Sequence, residues 1–184
     1  MLKPMSMIVC LLSAALLMGC DEEEVVETGP EPAMEITVLD AEGITKLRKQ
    51  VAADGKVLVI DCWATWCSSC VEMFPHLHKA IKERGEDVVL ASLSYDEGEA
   101  SAVKAGEFLT EQDAWDNSYI ATGGSDARDA IAEALSETWD GGALPAVFVY
   151  APDGSVALEF TETRGDVQDW VNEITSAVDA SLSE

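Results

Sequence analysis

Unbroken or nearly unbroken apolar segments recur along the chain and predict strands. The segments at 57–60 and 88–94 are long and apolar enough for strands covered on both faces. Shorter segments at 36–39, 145–150 and 156–160 predict three more strands. A Pro-Asp-Gly turn joins the last two segments as an antiparallel hairpin.

Helical patterns alternate with these strands. Apolar residues spaced three and four apart predict helices over 40–54, 71–81, 126–138 and 167–178, with a weaker pattern at 97–109. The segment 113–125 is predicted to be irregular, with at most a short strand at Tyr119-Ile120. The alternation predicts an α/β fold in which helices cover both faces of a mixed central sheet.

The beginning of the chain has the pattern of an export signal. Lys3 precedes an apolar run that is too short to span a bilayer comfortably, and the run ends at Gly19-Cys20. This ending resembles a bacterial lipoprotein signal, in which the cysteine is acylated after cleavage. A secretory signal cut nearby, or an uncleaved anchor, is the alternative. The predicted organisation is a signal peptide at 1–19, an acidic tether at 20–34 and one domain at 35–184.

The charge excludes one class of partner. The chain has 35 acidic and 11 basic residues, for a formal net charge of −24, and no basic stripe. Nucleic-acid binding is therefore not expected. The acidity is interpreted as a solvated surface that keeps the protein soluble.

The residues that indicate chemistry are Cys67 and Cys70, which lie where a predicted strand ends and a helix begins. Free backbone N–H groups and the positive end of the helix dipole favour a thiolate there. A spacing of three places both side chains on one helix face. The two cysteines are therefore predicted to interconvert between a disulfide and a dithiol. A C-x-x-C in this context is typical of a thioredoxin-like redox motif.

The resemblance to thioredoxins extends beyond the two cysteines. The sequence DCWATWC at 61–67, Pro75 five residues after Cys70, and Leu144-Pro145 before a late strand all resemble the thioredoxin fold. The lipoprotein-like start, the WATWC sequence and the APDG hairpin are more similar to the membrane-anchored TlpA/ResA type. The resemblance covers about 35–178.

The resemblance implies roles for three residues in the chemistry. Cys67 corresponds to the attacking thiol, because it is expected to be the more exposed and lies nearest the helix start. Cys70 corresponds to the resolving thiol, which releases the partner. Asp61 corresponds to the buried acid that relays the proton of Cys70, and desolvation favours the neutral carboxyl that this task needs.

The resemblance also implies a binding surface. Pro145 corresponds to a cis proline that faces the cysteines, and with Leu144 and Trp66 it is expected to contact an extended substrate segment. Trp63 and Pro75 are expected to shape the site, and Pro75 to kink its helix. No cofactor beyond the disulfide and no metal is expected.

Three positions differ from the family pattern. Ser68-Ser69 replaces the usual Gly-Pro between the cysteines, and this dipeptide tunes the redox potential. Ser92 stands where a lysine often accompanies the buried acid, which leaves Asp61 without that partner. Ala146 replaces the glutamate that is typical of the cytochrome-c-maturation branch.

The cysteines allow other interpretations. A zinc site needs four ligands, and His76 and His78 do not face together at a spacing of two, so both are interpreted as surface or helix-packing residues. Cys62 is interpreted as a small core residue. A static disulfide in a non-catalytic binding module, or copper(I) delivery by two thiolates, remains as an alternative.

The sequence as a whole predicts a monomeric, lipid-anchored thiol–disulfide oxidoreductase that faces the periplasm from the inner membrane. The expected partners are disulfides or thiols of exported proteins or peptides. Reduction is the expected direction, with electrons drawn from a membrane donor.

Overall fold

The computed structural model describes residues 36–121, 123–161 and 163–183. The predicted signal peptide, the tether and the lipidation site Cys20 lie outside these residues, so they remain predictions. Within the described residues, six strands form one sheet, five α-helices pack around it, and a short 3-10 turn spans Gly85–Asp87.

The sheet is mixed, as predicted. Its strands are β1 (Thr37–Leu39), β2 (Val57–Trp63), β3 (Val88–Ser94), β4 (Ser118–Ala121), β5 (Ala146–Tyr150) and β6 (Val156–Phe160). In space they follow the order β1-β4-β3-β2-β5-β6. The first four strands in this order run parallel, while β5 and β6 run antiparallel to their neighbours. All seven residues of β2 are buried, as expected for the apolar run that begins it.

The helices are α1 (Ala41–Ala53), α2 (Ser68–Lys82), α3 (Glu99–Glu111), α4 (Ser125–Leu135) and α5 (Val167–Ser181). Asp40 caps α1 by accepting a hydrogen bond from the N–H of Gly43 at 2.8 Å. Asp166 and Asp169 form a capping box at the start of α5. The helix α2 continues through Pro75. No helix in the described part of the chain combines the length and the apolarity needed to cross a membrane.

Several boundaries differ from the prediction by up to three residues, and two of these differences involve contacts between distant segments. The helix α4 ends at Leu135 rather than at Thr138. Beyond its end, Ser136 and Thr138 donate hydrogen bonds to the Glu159 carboxylate on β6. The strand β4 is longer than the expected pair of residues, because it pairs with β1 on one side and β3 on the other.

The apolar core has two parts, one on each face of the sheet. One part joins alternate residues of β2, such as Leu58 and Ile60, to residues of α1, α3 and α4. The other part joins Val57 and Val59 to α2 and α5. Helices therefore cover both faces, as predicted. Asp61 follows the alternation of Val57 and Val59, which places its side chain on the face that α2 covers.

Candidate active site

Cys67 and Cys70 form a disulfide at the start of α2. Cys67 is the N-cap of the helix rather than a residue of its first turn, and Cys70 is the third helical residue. The N–H of Cys70 points at the Cys67 sulfur, with 3.3 Å between the nitrogen and Sγ. Cys67 is 8% exposed and Cys70 is 1% exposed. Cys67 is thus the more accessible sulfur, and it is the one to which the helix start offers a hydrogen bond.

The Leu144–Pro145 peptide bond is cis and directly precedes β5. The first residue of β5, Ala146, pairs with Cys62 near the end of β2, and the disulfide follows four residues after β2 ends. Because β5 runs antiparallel to β2, the start of β5 and the cysteine loop lie at the same end of the sheet. Leu144 packs against the apolar cluster that contains both sulfurs. The residues that were assigned to substrate binding and to chemistry thus share one end of the domain.

The two tryptophans of the WATWC sequence have different environments. Trp63 is fully buried and packs against Phe74 of α2 and Phe108 of α3, with ring centroids 5.0 Å and 4.9 Å apart. Trp66 is 64% exposed, next to Cys67. Trp63 is therefore part of the packing beneath the cysteine loop, whereas Trp66 presents an apolar surface to solvent.

A buried carboxylate holds the loop that leads to Cys67. Asp96 is 2% exposed and accepts hydrogen bonds from the Thr65 N–H at 2.9 Å and the Thr65 hydroxyl at 2.6 Å. It also accepts one from the Ser94 hydroxyl at 2.8 Å. Hydrogen bonds to an ionised group are stronger than neutral ones. Asp96 therefore fixes the backbone two residues before the first cysteine.

Asp61 has a partner that the sequence analysis did not assign. Its Oδ2 lies 3.3 Å from Nε2 of His78, and its Oδ1 has no hydrogen-bond partner among the described residues. Ser92 is in register with Asp61, so the lysine that often accompanies the buried acid is absent, and α2 places a histidine beside Asp61 instead. The imidazole ring of His78 stacks on Phe74 with centroids 3.6 Å apart. His76, on the same helix, is exposed.

Cys62 is a free, buried cysteine beside the site. Burial and the neighbouring Asp61 charge raise the pKa of its thiol well above the usual value, and the nearby Tyr95 hydroxyl offsets part of this shift. Its neutral thiol is therefore the stable form, as expected for a core residue.

Sequence reasoning missed the roles of His78 and Asp96. His78 lies on the apolar face of α2 with Phe74, Leu77 and Ile81, and a histidine in such a stripe needs a polar partner. The need for a polar partner was therefore the one sign in the sequence that His78 has a specific contact. It did not identify that partner, because Asp61 lies 17 residues away on another element. Asp96 lies just after β3, at the end of the sheet where parallel strands present side chains to a site.

The described residues contain no group of three His, Cys, Asp or Glu side chains arranged to hold a metal ion. The two sulfurs of Cys67 and Cys70, once reduced, are the groups that can act as soft ligands at this site. In the disulfide form the two sulfurs together have two electrons fewer, and they offer no thiolate to a metal ion.

Comparisons with known proteins agree with this architecture. Residues 41–106 match the model of the thioredoxin family. A thioredoxin from Mycobacterium tuberculosis is 35% identical over 69 residues, which are 38% of this chain and 56% of that protein. A crystal structure of a thioredoxin-family thiol:disulfide interchange protein from Chlorobium tepidum TLS superposes with a TM-score of 0.52 at 17% identity. The superposition covers 80% of this chain and 99% of that one.

The chain has the thioredoxin fold. A thioredoxin-related protein from Neisseria meningitidis serogroup B shares it, with 25% identity, a TM-score of 0.51 and coverage of 70% of this chain and 86% of that one. The sequence match to the thioredoxin family begins in α1 and ends within α3, so it contains both cysteines and Asp61 but not the cis proline. The chain spans little more than half the length, 56%, of the curated thioredoxins it matches first.

Proposed function

We propose that the protein is a thiol–disulfide oxidoreductase that acts on disulfides of exported proteins, more as a reductase than as an oxidase. The observation that carries the proposal is the Cys67–Cys70 disulfide at the start of α2, at the same end of the sheet as the cis Leu144–Pro145 bond. The exposed Trp66 and the buried Asp61 complete the arrangement. A static structural disulfide requires none of these neighbours.

The reaction follows from the two sulfur positions. In the reduced protein, the Cys67 thiolate attacks one sulfur of a partner disulfide, and the other partner sulfur leaves as a thiolate. Cys70 then loses its proton and attacks the Cys67 sulfur of the mixed disulfide. The Cys67–Cys70 bond forms, the bond to the partner breaks, and the partner leaves with both sulfurs reduced. A dithiol donor returns two electrons to the protein and closes the cycle.

An insulin-reduction assay with dithiothreitol as the electron donor tests this reaction. The parent protein is expected to reduce insulin, and Cys67→Ser to lose that activity because the remaining thiol, Cys70, is buried and cannot reach the insulin disulfide. Cys62→Ala is the matched control and should retain the parent rate, since Cys62 is buried with a neutral thiol. Equal rates for the parent and Cys67→Ser would refute the proposal, and so would a disulfide that does not exchange in any redox buffer.

The reduction potential gives the direction of electron flow. Equilibration with glutathione or dithiothreitol buffers should give a value near that of thioredoxin, about −270 mV, for a reductase supplied by a membrane donor. A value near about −120 mV would show an oxidant instead. The Ser68-Ser69 pair between the cysteines is where this potential is set, so Ser68→Gly with Ser69→Pro is expected to move it.

The proposal includes a lipid anchor at Cys20 that holds the domain at the periplasmic face, with the acidic segment 20–34 as its tether. It rests on the apolar run that ends in Gly19-Cys20. Fractionation of cells tests it, because the parent protein should sediment with membranes and Cys20→Ala should not. Equal membrane association of the two forms would remove the lipid anchor from the proposal.

A further inference from the structure

The Asp61 carboxyl is isolated from bulk water. It is 1% exposed, and its strand neighbours in register are Ser92 of β3 and Val147 of β5. A buried acid that takes up and gives back a proton in every cycle needs a group through which the proton reaches solvent. The sheet offers no such group in register with Asp61.

The helix α2 provides one. His78 Nε2 lies 3.3 Å from Asp61 Oδ2, and the same side chain is 10% exposed. His78 also borders a surface pocket of about 360 Å³ between α2 and the end of α3, which is lined by Phe74, Pro75, His78, Lys79, Lys82, Glu83 and Gln112. His78 therefore touches the buried carboxyl and also forms part of the wall of a pocket that opens to solvent.

Two further observations concern the orientation of the His78 ring and the Oδ1 oxygen of the Asp61 carboxyl. Stacking on Phe74, with a 21° angle between the planes, restricts rotation of the imidazole. Oδ1 of Asp61 has no partner among the described residues, which leaves one carboxyl oxygen open for a proton from the site while the other faces His78. Imidazole is the side chain best suited to transfer protons near neutral pH, because both ring nitrogens can carry one.

We propose that His78 is the group through which Asp61 exchanges protons with solvent during thiol–disulfide exchange at Cys70. The inference rests on the proposed function. In the direction of partner reduction, the Asp61 carboxylate accepts the thiol proton of Cys70 as that sulfur attacks Cys67. The carboxyl proton passes to Nε2 of the neutral imidazole, and the imidazolium releases a proton to pocket water from its second nitrogen. Reduction of the protein's own disulfide runs these proton transfers in reverse.

The surroundings contain few other charges. On β3 the side chain in register with Asp61 is the neutral Ser92, whose hydroxyl is hydrogen-bonded to that of Ser118 on β4. The charged residues that line the pocket together with His78 are Lys79, Lys82 and Glu83. The Asp61 charge also acts on the neutral thiol of Cys62, the next residue of β2. The buried residues of α5 contribute no charged side chain. Lys79 and Lys82 are exposed, so their positive charges act on the electrostatic potential in the pocket. Neither lysine takes the place of His78 in the contact with the Asp61 carboxyl.

His78→Gln and His76→Gln form a matched pair of variants, because both histidines lie on α2 and one of them contacts Asp61. His78→Gln keeps a polar side chain but cannot carry a proton, and insulin reduction is expected to slow by about tenfold or more. The pH profile of the rate should lose one ionisation, while His76→Gln should keep the parent rate and profile. Added to Asp61→Asn, His78→Gln should slow the reaction no further, because the two groups act in series.

Chemical rescue separates proton transfer from a structural role. His78→Ala leaves space next to the pocket, and imidazole added to the buffer is expected to restore part of its rate. The same imidazole should not accelerate Asp61→Asn, in which the proton acceptor is lost. Loss of activity in His78→Ala without rescue, together with an unchanged pH profile in His78→Gln, would reduce His78 to a packing residue.

A measurement on the unaltered protein covers the case in which both variants fail to fold. The ring-nitrogen chemical shifts of His78 should differ between the disulfide and dithiol forms, whereas those of His76 should not. Identical His78 shifts in the two forms would overturn the inference. An inactive parent protein would instead refute the proposed function, so the two failures are distinguishable.

Discussion

Replacing Asp96 with asparagine tests how the cysteine loop is held in place. The carboxylate is buried and accepts three hydrogen bonds, two of them from Thr65 and one from Ser94. Asparagine has the same size but is neutral, and it places an N–H₂ group where one oxygen stood. The Thr65 hydroxyl can turn to accept from that group, whereas the Thr65 N–H and the Ser94 hydroxyl need the remaining oxygen.

The expected loss follows from the type of hydrogen bond. A hydrogen bond to a charged group contributes about 1.5–3 kcal/mol and a neutral one about 0.5–1.5 kcal/mol. Changing three bonds from the first kind to the second, at about 1–1.5 kcal/mol each, should lower the free energy of unfolding by about 3–4.5 kcal/mol. At about 2–4 °C of melting temperature per kcal/mol for a protein of this size, the midpoint should fall by about 6–18 °C.

Urea unfolding of the oxidised protein measures the loss, and Asp116→Asn is the control, because Asp116 is exposed. Thr65→Val removes one of the three bonds and keeps the side-chain shape. In a double-mutant cycle it should therefore cost less in the Asp96→Asn background than in the parent, by at least about 1 kcal/mol. An Asp96→Asn protein within about 0.5 kcal/mol of the parent, or strictly additive variants, would refute the account of the loop.

Two further predictions concern ionisation. The alkylation rate of reduced Cys67 should rise with pH along a curve whose pKa lies below about 8.5, because the sulfur caps a helix, and a value at or above that figure would contradict this account. Burial raises the pKa of Tyr95 and of Tyr150 above the usual range. Their stabilisation is thus complete below about pH 10 and lost above it, by about 1.4 kcal/mol per pH unit for each tyrosine. Urea unfolding from pH 9 to 11.5 should show a shallower decline in Tyr150→Phe, and identical slopes would exclude this cause.

The strands and helices that the sequence predicted well are those whose burial repeats with a regular period. The run at 57–60 is buried on both faces, and the face of α5 that contains Trp170, Ile174 and Val178 is buried as its spacing predicts. In the helix, residues one turn apart meet the same layer of the core, and in the strand alternate residues meet the layer on one face or the other. A local pattern is then sufficient evidence of the element.

The predictions that differ from the structure concern residues fixed by distant partners. The end of α4 depends on Glu159, which lies 23 residues after Ser136. The length of β4 depends on β1, which comes about 80 residues earlier in the chain. No periodicity in the sequence encodes such a pairing, so these boundaries had to come from the structure.

The candidate site also has some features that a local sequence pattern predicts and others that depend on distant contacts. A short motif and a strand–helix junction were sufficient to predict that Cys67 and Cys70 pair at the start of α2. The partner of Asp61 could not be predicted, because the contact depends on how α2 lies across β2. The register of a helix over a sheet is decided by packing on both faces, which the sequence of either element alone does not specify.

The buried, neutral thiol of Cys62 limits the number of electrons that the protein can exchange. A third thiolate close to a dithiol pair would compete for its sulfurs and open the way to scrambled disulfides. Because the thiol of Cys62 stays protonated, it takes no part in disulfide exchange. Within the described residues the protein therefore has a single two-electron couple, with a disulfide form and a dithiol form. A thiol-reactive dye should therefore report two sulfurs per folded, reduced domain and three once the domain is denatured.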